Sequence, residues 1–256
     1  MDDLIRIIVT DERIKNMDNN KFKLTSKESH YLNKVMRMKN DKEVFIVNGL
    51  GSIWKGNKVN DNFIELNKDQ EPFFFREKKK LLLGLAISIP KQGFEEILKM
   101  STEIGIDFIQ PISTDYQIKN LSKSSNTKRE RWNSIINESL ELSERLWKPY
   151  ILKNLEISEW LESISNKDII SISVTRNTHC QNIDNWLEQQ EISEDKETII
   201  WNVIGPEGGW SQSELQLFQR NNIEKVKLSE NILRTSTAAI YASSILNQWR
   251  NNQKNL

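Results

Sequence analysis

The chain has 256 residues, with 36 basic and 36 acidic side chains, so its formal net charge is zero, which weakens attachment to nucleic acid through a broad electrostatic patch and leaves any basic face to three-dimensional arrangement. Hydrophobic residues make up 37% and charged residues 28%, which supplies a core and excludes global disorder. A single cysteine, Cys180, excludes an intrachain disulfide and a cysteine-based zinc site, and His30 and His179 stand far apart, so no metal is expected.

The opening MDDLIRIIVTDER has no basic start ahead of an apolar core and does not read as a signal peptide. The longest apolar run, Leu81–Ile89, is too short to span a bilayer. A reducing, cytoplasmic setting without a membrane partner is therefore expected.

In chain order, Leu4–Val9 and Glu43–Val47 are rich in β-branched residues and predict strands. Between them, Lys27–Met38 places Tyr31, Val35 and Met38 at helical spacing. Asn48-Gly49 marks a tight turn from which Ser52–Val59 returns, and Asn62–Leu66 is a further strand. Together they predict a small β-barrel with one helix. At Glu71–Lys80, a proline and a dense charge run mark a boundary, giving an N-terminal domain of residues 1–72 and a C-terminal domain of residues 73–256.

Beyond it the pattern alternates. Lys80–Ile89 is nearly all apolar, as expected of a parallel strand buried on both faces. A helix from Phe94 stops at Gly105, a strand follows at Ile106–Ile112, and Thr127–Leu146 is a longer helix. Ile169–Val174 and Ile199–Ile204 are further strands, which predicts an α/β domain with a parallel sheet.

Two segments carry chemistry. Ile199–Ile204 runs directly into Gly205-Pro-Glu-Gly-Gly-Trp210, a turn whose glycines let a ligand approach backbone, and Ser211–Glu214 has capping-box spacing for the next helix. The turn is neither a P-loop nor a dinucleotide fingerprint. After a strand at Ile223–Leu228 comes Leu233-Arg-Thr-Ser-Thr-Ala-Ala-Ile240, a small-residue helix start with hydroxyl groups available as caps. On neighbouring strand ends the two segments would form one pocket.

Together these segments resemble the signature of the SPOUT methyltransferases, and more closely that of the 16S ribosomal RNA uracil-N3 methyltransferase family, which pairs a GPEGG turn with an LRTET-like segment. The likeness extends to His30–Arg37, Lys91–Gly105, and Glu138–Arg145 with Pro149. Departures stand at Leu142, Glu144 and Ser236. The resemblance implies an N-terminal PUA-like β-barrel, a C-terminal SPOUT α/β domain tied in a deep trefoil knot, a homodimer, and S-adenosylmethionine as cofactor. It implies a cofactor pocket from Ile204, Gly205, Glu207, Gly208, Gly209, Leu228, Ile232, Leu233 and Thr235. Catalytic candidates are Arg234, Arg145 and Glu138, with Glu207 as a second carboxylate that either takes a proton or caps backbone. Arg6, Arg37, Lys128 and Arg129 are candidates for phosphate contacts with the small-subunit RNA. Methylation of another RNA target, such as a transfer-RNA ribose, and a silent RNA-binding assembly factor are the alternatives.

Overall fold

The computed structural model describes residues 5–67, 71–117, 126–175, 179–193 and 196–253. The chain divides into two compact units. The first comprises residues 1–78 together with Leu140–Lys148, and the second takes Lys79–Ser139 and Pro149–Leu256. The first unit thus extends past residue 72 and recovers a later stretch of chain.

The first unit contains β1 (Arg6–Ile8), α1 (Asp11–Lys15), β2 (Lys21–Lys23), α2 (Ser26–His30), β3 (Glu43–Val47), β4 (Ser52–Asn60), β5 (Phe63–Leu66) and β6 (Phe74–Phe75). Its strands pair in the order β1-β3-β4-β5-β2, with β6 on β4. The ends of this ladder, β1 and β2, are not paired, yet Ile7 and Phe22 lie in the same core, so the expected barrel is a sheet folded round that core without closing bonds. Asn48 makes the turn into β4 as its turn chemistry requires, its Oδ1 accepting from the Leu50 and Ser52 amides at 2.8 and 3.1 Å. The helix expected over Lys27–Met38 is α only to His30 and continues as a π-turn over Tyr31–Val35. Helices of this kind tighten or widen where side-chain demands outweigh the regular ladder. Here Ser29 Oγ and Asn33 Nδ2 both donate to the Asp61 carbonyl, holding the helix to the β4–β5 turn.

The second unit runs β7 (Leu81–Ser88), α3 (Phe94–Ile104), β8 (Phe108–Ser113), α4 (Asn126–Leu142), β9 (Tyr150–Ile151), β10 (Leu155–Glu156), α5 (Ile157–Ser163), β11 (Ile169–Ser173), β12 (Gln181–Asn182), α6 (Ile183–Glu188), β13 (Thr198–Ile204), α7 (Gln212–Arg220), β14 (Glu224–Lys227) and α8 (Thr235–Asn252). Every strand pair among the described residues of this sheet is parallel, in the order β10-β8-β7-β13-β11-β14-β12, with β9 beside β8. β7 is buried along its whole length, as its apolar run requires. Leu81, Leu83, Leu85 and Ile87 face a core shared with α3, α6 and α8, whereas Ala86 faces Trp160 of α5 and Phe218 of α7. The sheet is therefore the middle of three layers, and each fully buried leucine or isoleucine contributes about 1.5–3 kcal/mol through apolar burial.

The small residues of α8 do what their size allows. Ala238, Ala239, Ala242 and Ser243 are buried, and Ser243 Oγ meets Ser101 Oγ of α3 at 3.2 Å. At the far end, Arg250 pairs with Asp107 and donates to the Gly105 carbonyl at 2.9 Å, fixing α8 to the α3–β8 connection. No helix among the described residues is long and apolar enough to cross a membrane.

Candidate functional site

In a parallel sheet, ligands collect beyond the carboxyl ends of the strands. The chain that leaves β11, β13 and β14 at those ends encloses a cavity of ≈ 710 Å³. All nine residues read from the sequence as cofactor contacts line it: Ile204, Gly205, Glu207, Gly208, Gly209, Leu228, Ile232, Leu233 and Thr235. Arg234 lines it as well.

The two segments do not sit on neighbouring strands. β11 lies between β13 and β14, because chain order does not fix strand order in a sheet built from crossovers. The consequence is a third wall, Ser173–Thr175, which sequence reading passed over. Trp210 secures that wall: its indole N–H donates to the Ser173 carbonyl at 2.9 Å, and its ring meets Phe218 edge-on at 5.0 Å.

The turn itself is narrow. Gly209 has φ +76° and its amide donates to the Pro206 carbonyl at 2.9 Å. A Cβ on Gly208 would lie 2.9 Å from Tyr116 Cβ, so no side chain fits there without movement of the β8–α4 connection. Glu207 lines the cavity, and its Oε1 accepts from the Lys91 amide at 3.1 Å. Ser211 caps α7 with the full box, and Glu214 reaches back to the Ser211 amide at 2.8 Å. The same Ser211 hydroxyl, with that of Ser213, donates to Asp115, which holds the Asp115 carboxyl below the usual aspartate range.

At the second segment the expected hydroxyl cap is absent. Arg234 occupies the N-cap of α8 with no side-chain cap bond, and Thr235, buried, donates its hydroxyl instead to the Gly205 carbonyl at 3.3 Å. That bond ties the two segments directly. Arg234 is exposed at the cavity wall, and no ion pair is recorded for it among the described residues.

The remaining candidates lie elsewhere. Glu138 is exposed on α4, and Arg145 belongs to the first unit, where its amide bonds the Leu140 carbonyl; neither lines the cavity. Arg6 is buried and committed within the first unit, since its guanidinium pairs with Glu144 at 2.7 Å and donates to that residue's carbonyl at 3.1 Å. A buried, paired guanidinium is not available to a phosphate, so Arg6 is a structural residue. Arg37 is exposed with φ +49° after the π-turn, Lys128 is exposed on α4, and Arg129 donates to the Ile151 and Leu152 carbonyls.

Comparison with known proteins bears on the same regions. Residues 77–247 match the model of the RNA methyltransferase domain, and residues 24–57 that of the RNA methyltransferase PUA domain. The chain is 30% identical to ribosomal RNA small subunit methyltransferase E of Synechocystis over 88% of this chain and 72% of the relative. It is 29% identical to the Rickettsia conorii protein of the same name over 88% of each. Among solved structures, it resembles ribosomal RNA small subunit methyltransferase E of Neisseria gonorrhoeae bound to S-adenosyl methionine, with TM-score 0.76, 21% identity and coverage of 96% of this chain and 97% of that one. A methyltransferase of Legionella pneumophila in complex with the same bound cofactor gives TM-score 0.80 at 22% identity, with coverage of 95% and 97%. At these identities the structural likeness speaks for the fold, a PUA-like domain followed by an α/β domain with a parallel sheet.

Proposed function

The chain belongs to the RNA methyltransferase family, and on that premise we propose that it methylates N3 of one uridine, of the uridine-1498 type, in the 16S RNA of the small ribosomal subunit, using S-adenosylmethionine. The observation that carries this reading is the single cavity formed by the glycine turn and the Arg234 segment. Its ≈ 710 Å³ falls within the range of small-molecule sites, roughly 300–1,000 Å³. Its lining suits an adenosyl group: Ile204, Leu228, Ile232 and Leu233 offer apolar surface for a purine, and Gly205, Gly208 and Gly209 present backbone without side chains. The cofactor supplies an electrophilic methyl group on a sulfonium, so the protein's task is orientation and charge control.

Within that division of labour, Gly205–Gly209 and Thr235 shape the cofactor wall. Trp210 holds this wall to β11. Arg234, at the cavity edge, faces the negative charge that develops on the uracil carbonyls as N3 gives up its proton to solvent, and a preorganised cation there lowers the barrier. The nitrogen then takes the methyl carbon while the carbon–sulfur bond pair stays with sulfur. N3 lies on the pairing edge, so the target uridine must be unpaired or extruded.

The same reading places an RNA-binding PUA-like domain in residues 1–72 and the methyltransferase domain in residues 73–256. It includes a deep trefoil knot in the C-terminal domain, a homodimer with the substrate site formed across its interface, catalytic roles for Arg145 and Glu138, and a cytoplasmic location. Arg37, Lys128 and Arg129 remain the phosphate contacts of this proposal. The test is methyl transfer to ribosomal RNA lacking the modification, followed by nucleoside mass analysis. 3-Methyluridine is the expected product; a ribose-methylated nucleoside, or none at all, overturns the proposal.

A further inference from the structure

The first unit carries an aromatic strip that a buried core would ordinarily claim. Phe73, Phe74 and Phe75 are 63%, 45% and 52% exposed, three consecutive large rings in contact with solvent. They are not on a loose tail. β6 pairs with β4, Phe75 opposite Ser52 and Phe74 opposite Ile53. Arg76 donates its amide to the Gly51 carbonyl at 2.9 Å, and Trp147 Nε1 donates to the Arg76 carbonyl at 2.8 Å. Gly51 has φ +96°, and a Cβ on it would come within 2.5 Å of that Arg76 carbonyl and 2.9 Å of the Trp147 ring; the strand is pressed onto a position only glycine fills. Phe75 lies edge-on to Trp147 at 6.4 Å.

Cations are set among these rings. Lys55 Nζ lies 4.5 Å from the Phe73 ring centre and 5.4 Å from that of Phe45, and 3.6 Å from Glu43. Arg76 continues the strip, exposed, with Glu77 and Lys78 following. Exposed aromatic rings held in a paired strand mark an interaction site. An apolar protein partner would have to bury the Arg76 guanidinium and the Lys55–Glu43 pair, at a desolvation cost. A nucleotide meets both demands, since its base stacks on a ring and its phosphate meets the cations.

We propose that Phe73–Phe75, with Lys55 and Arg76, form a base-stacking platform for unpaired nucleotides of the RNA substrate. The platform rests on the family reading only in taking the substrate to be RNA. Stacking requires an open base face, so the platform takes single-stranded segments in preference to duplex.

The test measures binding of the full chain to a single-stranded oligoribonucleotide of about ten nucleotides and to the same sequence as a duplex. The double variant Phe73→Ala, Phe75→Ala is expected to weaken single-strand binding by roughly 5- to 100-fold. Phe73→Trp should retain affinity, and Phe63→Ala, removing a half-exposed ring on β5, should leave it unchanged. Thermal unfolding and calorimetric S-adenosylmethionine binding should not move in the double variant. Single-strand affinity unaltered in the double variant overturns the platform and leaves the family reading standing. A double variant that alters self-association but not RNA affinity assigns the strip to a protein interface and overturns it too. A native chain that binds neither RNA overturns the RNA reading itself.

Discussion

Gly208 and Arg234 answer opposite demands on one cavity, the first by having no side chain and the second by extending one. A Cβ at 208 meets Tyr116 at 2.9 Å. Gly208→Val is therefore expected to push the turn away from Tyr116, lowering stability by the roughly 1–3 kcal/mol of overpacking and weakening S-adenosylmethionine binding roughly ten- to hundredfold; calorimetry on the folded variant showing native affinity would remove Gly208 from the cofactor wall. Arg234→Ala should lower kcat by about 10²–10³, the scale of a lost charge-stabilising donor, while the cofactor's Kd stays where it was. An equal loss in cofactor affinity would instead make Arg234 a cofactor contact. Arg6 shows the opposite lesson. An arginine in an early strand reads as a phosphate contact, yet its partner Glu144 lies 138 residues away, and no local pattern announces such a pair.

At the scale of elements, α7 begins on a hydroxyl that serves one donor and one acceptor. Ser211 accepts from the Glu214 amide at 3.2 Å and donates to Asp115. Ser211→Ala should cost about 1 kcal/mol as a lost N-cap at neutral pH. The Asp115 part has a defined sign: its folded pKa is depressed, so its contribution is present above the unfolded aspartate value and fades as pH falls through the folded one. The difference in melting temperature between native and variant should accordingly shrink below pH of about 3.9, and a gap that widens in acid would refute the assignment. The capping box was legible from Ser211 and Glu214 because its spacing is local. So were the β7 run and the Gly105 stop of α3, which depend on neighbours in sequence. β6, two residues long, and β11's place between β13 and β14 were not, since strand pairing is set by partners far along the chain. The cavity was legible in nine residues because two of its three walls are contiguous motifs; the Ser173 wall joins through Trp210, a bond that only folding makes.

For the whole molecule, the division into units cuts across chain order. Leu140 and Leu146 pack with Phe45, Val47 and Ile53, and Glu144 pairs with Arg6, so the first unit is complete only with residues 140–148. A fragment ending at Lys78 would bare that cluster and leave Arg6 without its partner. Such a fragment should show weak near-ultraviolet dichroism and a broad thermal transition; cooperative unfolding like that of the full chain would refute the dependence. The C-terminal placement of the cavity has a counterpart in biosynthesis. Its walls span Ser173 to Ala238, and α8 rests on Ser101 and Asp107, residues translated long before it. Domains emerging from a ribosome fold from the N-terminus onward, and contacts between distant residues form slowly. The first unit is finished when Lys148 emerges, whereas the cavity is walled only once α8 has been made. A nascent product halted between the two therefore carries a complete first unit and an unbuilt cavity.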